Sequence, residues 1–122
     1  QIHFVGNLAS RELIREQIDQ ADMFILTSRQ EGLPRVLIES MARSLVCIAT
    51  DVGGVKELIS KDFIIERDNV EQLVSVIDRV RQLPEIELLN TASTNYNKAL
   101  EYENSALRSR RQAMYQHLNE AQ

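Results

Sequence analysis

Two carboxylates, Glu31 and Glu39, stand eight residues apart on either side of Gly32-Leu33-Pro34, an arrangement suited to a ligand with both anionic groups and hydroxyls. The apolar run before them, Met23 to Leu26, reads as a buried strand, and beyond Gly32 the apolar positions switch to helical spacing through Val36, Leu37 and Met41. Pro34 suits the first helical position, where its missing N–H costs nothing, and Gly32 lets backbone and ligand approach closely. The unpaired N–H groups of that first turn, with the positive end of the helix dipole, make a site for phosphate. Glu39 follows about one and a half turns later and leans back toward the helix start. An ionised carboxylate only accepts hydrogen bonds, and its two oxygens can take both protons of a vicinal diol. Phosphates flanked by sugar diols describe a nucleotide-sugar. A capping acid followed by a solvated acid has the same spacing, so the surrounding residues must decide.

Other polar residues carry less. Ser28 either hydrogen-bonds a ligand or simply ends the strand, and Arg35 either adds positive charge near phosphates or is an ordinary exposed first-turn arginine. Gly53-Gly54 reads as a structural turn rather than a ligand contact. His3 reads as a packed or edge residue, and His117 as solvated. Asp51, at a strand end, could imitate the phospho-acceptor of a receiver domain, but the acidic pair and the lysine such a domain needs do not appear in the expected context. The single Cys47 cannot form an internal disulfide, which fits a reducing compartment, and Leu45-Val-Cys-Ile-Ala49 reads as a buried strand rather than the setting of a nucleophile. No metal-ligand cluster is visible.

The elements that position these residues can be taken in order. Ile2 to Val5 alternates weakly and ends at Gly6-Asn7, a strand running into a turn. Ser10 is an N-cap for a helix with Leu13, Ile14 and Ile18 inward. Strands follow at Met23 to Thr27 and Val46 to Thr50, separated by the Pro34 to Arg43 helix. Both are continuously apolar, as in a parallel sheet covered on both faces. Asp51 to Gly54 turns into a short helix through Val55, Leu58 and Ile59, and Phe63 to Glu66 is a fourth strand. Asp68 and Glu71 form a capping box for a helix whose stripe is Val70, Leu73, Val74, Ile77 and Val80. Pro84 opens a helix from Glu85 to about Tyr102, and Asn104 or Ser105 opens the last, with Leu107, Met114 and Leu118 on one side. The fold class is therefore α/β: a Rossmann-like, mainly parallel sheet of about four strands with helices on both faces and a C-terminal helical tail. Ligands bind such sheets beyond the C-terminal strand ends, where the turns at Gly6-Asn7, Glu31-Gly32 and Gly53-Gly54 are expected to converge.

With 122 residues, 43% hydrophobic and 26% charged, the chain has the composition of one soluble globular domain. A net charge of −4, with Arg108, Arg110 and Arg111 as the one basic cluster, argues against nucleic acid as the main partner. No apolar run approaches the ~20 residues of a membrane span and the opening is not signal-like, so a cytoplasmic location is expected. The chain starts with Gln1 rather than Met and goes straight into strand-like residues. It is expected to be a C-terminal piece, residues 1–122, of a longer protein.

The run Ala21-Asp-Met-Phe-Ile-Leu-Thr-Ser-Arg-Gln-Glu-Gly-Leu-Pro-Arg-Val-Leu-Ile-Glu-Ser-Met-Ala42, followed by Ile48-Ala-Thr-Asp-Val-Gly-Gly-Val-Lys-Glu-Leu-Ile59, closely resembles the C-terminal donor-binding domain of family 4 retaining glycosyltransferases of the GT-B fold. The resemblance runs from about Ile2 to the C-terminal helix. It implies a hexosyl transfer from a nucleotide-diphosphate sugar to an acceptor with retention of configuration, in which Glu31 holds sugar hydroxyls beside the reacting carbon and Glu39 holds the ribose diol. Backbone amides around Gly32, Leu33, Arg35 and Val36 would stabilise the departing diphosphate, and the base would lie near Gly6, Asn7 and Leu8. It implies no cofactor, the nucleotide-sugar being the donor substrate. It also implies an N-terminal acceptor domain outside this chain, through which peripheral membrane contact would be made, and hence a fragment inactive alone.

The chain departs from the family at two places. Similar proteins usually show Gly-x-Pro where Ser44-Leu45-Val46 stands, and the loop before Phe63 is short and lacks the usual glycines. The resemblance further places two strands between the one matching Ile2 to Val5 and the one matching Met23 to Thr27. Without them, the Ile2 to Val5 strand is expected to shift and pair directly with Met23 to Thr27, through the usual right-handed crossover. A second class remains open, a non-catalytic α/β interaction or regulatory module in which Glu31 and Glu39 are ordinary surface acids. Nucleotide-diphosphate binding separates the two.

Overall fold

The computed structural model describes residues 1–120, without the side chains of Leu118 and Asn119; the expected inward position of Leu118 lies outside the described residues. Three parallel strands, β1 (Met23–Leu26), β2 (Val46–Thr50) and β3 (Ile64–Ile65), lie in the order β1-β2-β3. Met23 is paired with Val46 and Leu26 with Ala49, while Ala49 and Thr50 are paired with Ile64 and Ile65. The central strand is buried along its whole length, which is why all but its last residue can be apolar.

Alternation along β2 divides the core. Cys47 and Ala49 face one layer, packed with Ile18 of α1 (Arg11–Asp19), Leu37 and Met41 of α2 (Arg35–Ala42), Val55 and Leu58 of α3 (Val55–Leu58), and Ala99 of α5 (Glu85–Leu100). Val46 and Ile48 face the other, covered by Val76 and Val80 of α4 (Val70–Arg81). Helices thus cover both faces, as the continuous apolar strands require. The tail continues from α5 into α6 (Asn104–Glu120). Among the described residues no helix is long and apolar enough to cross a membrane.

Four expectations are corrected. Residues 2–5 form no strand, so the sheet has three strands rather than four, and no shift onto β1 takes place. Ile2 and Phe4 are 82% and 95% exposed, and among the described residues no backbone hydrogen bond ties residues 1–9. An extended stretch without a ladder partner must fix its backbone, at about 1–2 kcal/mol per residue, with nothing to offset that cost. The cap of α4 is Asn69, whose side chain accepts from the Gln72 N–H at 2.9 Å. Asp68 lies outside the helix with φ of 58°.

The buried stripe of α4 is also rotated from the expected one. Leu73, Val76, Ile77 and Val80 face the sheet, whereas Val70 and Val74 are 69% and 52% exposed. Val74 is about 100° round the helix from Leu73, outside the cluster that α4 forms with Val46, Ile48 and Ile65. Finally, Pro34 is the cap of α2 rather than its first helical residue, with extended backbone and a carbonyl that accepts from Ile38 N–H.

α2 ends in a Schellman turn. Ser44 N–H donates to Met41 O at 2.9 Å and Leu45 N–H to Ser40 O at 3.2 Å. This geometry puts Ser44 in the left-handed region, φ 60°, where glycine is the residue that fits without strain.

Candidate functional site

The loop between β1 and α2 is fixed from two directions. Thr50, the last residue of β2, is 3% exposed, and its hydroxyl donates to the carbonyl of Ser28. Ser28 Oγ in turn donates to Glu31 Oε1 at 2.6 Å. From the other side comes the turn between β2 and α3, where Gly54 N–H donates to Gly32 O at 2.8 Å. Gly53 has φ of 49°, and a Cβ there would sit 2.2 Å from the carbonyl oxygens of both Glu31 and Gly32. Only glycine permits that approach, so Gly53-Gly54 is a structural clamp, and it brings two of the three expected turns together. The third, at Gly6-Asn7, does not follow a strand; Gly6 and Asn7 are exposed and Leu8 half-buried.

At the head of α2, Leu33, Arg35, Ile38 and Glu39 line a cleft of about 420 Å³ whose other wall is Tyr102 from the α5–α6 turn with Asn104 and Leu107 from the start of α6. Arg35 and Glu39, four apart, share one helix face. Glu39 is half-buried and Arg35 exposed, and no ion pair joins them among the described residues. Its lining mixes the apolar Leu33, Ile38 and Leu107 with the polar Arg35, Glu39 and Asn104. No side chain caps α2, so the N–H groups of Arg35 and Val36 at its first turn remain available to an anion. Glu31, half-buried, lies in the loop that leads into this turn.

Sequence reasoning missed Tyr102, Asn104 and Leu107, since nothing in the spacing connects them to a helix more than sixty residues earlier. Thr50 did leave a signal, as a polar residue closing an otherwise apolar strand. Two further candidates have structural surroundings of their own. Burial pushes the Cys47 thiol up to about 12, leaving it protonated and inert near neutral pH. Asp51 is exposed and paired with Lys56 at 3.0 Å. Among the described residues no group of three or more His, Cys, Asp and Glu side chains gathers to hold a metal.

The profile of the family described as "Glycosyl transferases group 1" matches residues 1–99. A Bacillus subtilis (strain 168) protein named as a teichuronic acid biosynthesis glycosyltransferase, TuaC, is 35% identical over 79 residues, covering 63% of this chain and 20% of the relative. The Escherichia coli UDP-Gal:alpha-D-GlcNAc-diphosphoundecaprenol alpha-1,3-galactosyltransferase is 28% identical over 91 residues, 72% of this chain and 23% of the relative. The N-acetyl-alpha-D-glucosaminyl L-malate synthase of Bacillus anthracis is 36% identical over 52 residues, 43% of this chain and 14% of the relative. The chain thus spans about a fifth of the length of the first two.

Proposed function

Since this chain belongs to the glycosyl transferases group 1 family, we propose that it is the donor-binding part of a family 4 glycosyltransferase of the GT-B fold, moving a hexosyl unit from a nucleotide-diphosphate sugar to an acceptor with retention of configuration. The observation that carries the reading is the cleft at the head of α2, where Glu39, Arg35 and Leu33 meet beside an uncapped helix start. Glu39 takes the ribose diol. The amides of Arg35 and Val36, with the α2 dipole and the Arg35 charge, hold the diphosphate and stabilise the negative charge that grows on it as its bond to the sugar breaks. Glu31 holds sugar hydroxyls beside the reacting carbon, Gly32 lets the donor close on the backbone, and Gly6, Asn7 and Leu8 flank the base. The acceptor, and any contact with a membrane surface, belongs to a further domain, and the reaction runs in the cytoplasm.

Glu39→Ala tests the ribose role. In the full-length protein, calorimetry with UDP, ADP and GDP should show the best-bound nucleotide weakened by about 1–3 kcal/mol, the cost of leaving buried hydrogen-bond partners unmet. Unchanged affinity in a folded variant would rule the role out. The 122-residue chain by itself should turn over no nucleotide-sugar, because the acceptor domain is supplied elsewhere; measurable transfer by the purified chain would refute that division of labour.

A further inference from the structure

We propose that Ser28 and Thr50 are positioning residues for Glu31, holding its carboxylate in the orientation in which it meets the donor sugar; the inference rests on the donor-site reading above. The strand pairing of β1 with β2 ends at Leu26 and Ala49, so the chain beyond Leu26 has no ladder to hold it. Thr50 replaces the ladder with a side chain. Its buried hydroxyl donates to Ser28 O, with Leu26 O a further acceptor at 3.5 Å. A hydroxyl in that environment stays where it is, because leaving it unpaired would cost the full desolvation of the group.

Ser28, so fixed, carries the constraint from backbone to side chain. Its Oγ donates to Glu31 Oε1 at 2.6 Å, the short distance of a charge-assisted bond. The Gly53-Gly54 clamp holds the backbone of Glu31 and Gly32 from the opposite side. With one oxygen occupied by Ser28, Glu31 Oε2 has no protein partner among the described residues, and it is the atom that can accept a sugar hydroxyl. Ser28 has spent its only proton on Glu31, so it does not donate to the ligand itself.

A residue that merely kept the loop in shape would affect nucleoside diphosphate and nucleotide-sugar alike, whereas one that aims Glu31 affects the sugar alone. The experiment compares the two by calorimetry on the full-length protein, using UDP, ADP and GDP and their glucose conjugates, with UDP-galactose added. Ser28→Ala and Thr50→Val should lower affinity for the nucleotide-sugar by roughly fivefold to tenfold, the scale of one net hydrogen bond, and leave the matching diphosphate within twofold. Ser28→Thr and Thr50→Ser, which keep the hydroxyls, should restore it. Glu31→Gln is the control. If it leaves sugar affinity intact, or if no nucleotide binds the unaltered protein, the donor-site reading fails and this inference fails with it. If Glu31→Gln weakens sugar binding while Ser28→Ala and Thr50→Val do not, or if those two weaken the diphosphate equally, the positioning role is overturned and the donor site stands.

Discussion

At Ser44 a single dihedral accounts for a departure that the sequence alone leaves bare. The Schellman turn that ends α2 needs a left-handed residue after the cap, and Ser44 occupies it with φ of 60°. A side chain there meets the following carbonyl, a cost of about 1–2 kcal/mol that glycine avoids. Ser44→Gly should therefore raise stability, by about 1 kcal/mol once the greater freedom of glycine in the unfolded chain is set against the relief. Urea denaturation would read this as a higher midpoint at unchanged slope; a lower midpoint would mean that the turn is not strained. Ser28 was equally ambiguous in sequence, as a ligand contact or a strand end. Its bond to Glu31 at 2.6 Å is visible only once the loop is folded, because a three-residue separation fixes no direction for either side chain.

Elements were legible wherever periodicity was strong. β2 was read to its exact ends, Val46–Thr50, and the Ser10 cap of α1 is in place, accepting from Leu13 N–H at 3.3 Å. What failed was phase. The stripe through Val70 and Val74 satisfies helical spacing as well as the true one through Leu73, Val76, Ile77 and Val80, and the choice between them is made by the sheet residues beneath, Val46, Ile48 and Ile65, which periodicity cannot see. The capping residue slipped for a related reason: Asp68 and Asn69 are both good caps, and the left-handed turn at Asp68 hands the role to its neighbour. Asn69→Ala should accordingly cost about 1 kcal/mol, measured by thermal or chemical denaturation. Asp68→Gly should lose no capping energy and relieve a positive φ. An equal loss from both would show that the α4 start is misassigned.

For the whole molecule, the layered α/β fold followed from continuous apolar strands, and the strand-to-helix junction expected at Gly32-Leu33-Pro34 is present between β1 and α2. The α5–α6 residues that close the cleft were invisible, because their contact with α2 depends on how the tail folds back. The sheet that results has β1 and β3 at its two edges. Among the described residues the outer edge of β1 has no strand beside it, its Ile25 is 38% exposed, and the N-terminal residues Ile2, Phe4 and Val5 are exposed as well. Unpaired N–H and C=O groups on such an edge are a template for another strand, and charge is what usually blunts them. None stands in Met23–Leu26, and a net charge of −4 gives the whole chain limited self-repulsion. The 122-residue chain is therefore expected to associate as its concentration rises, which sedimentation velocity from low micromolar to hundreds of micromolar would detect. Ile25→Lys places a charge on the open strand, and Phe4→Asp removes the most exposed apolar side chain. Both should return the chain to monomer without lowering its melting temperature, since neither residue is buried. Should the unaltered chain sediment as a monomer throughout that range, its open edge is protected by something other than charge, and the argument from edge pairing fails.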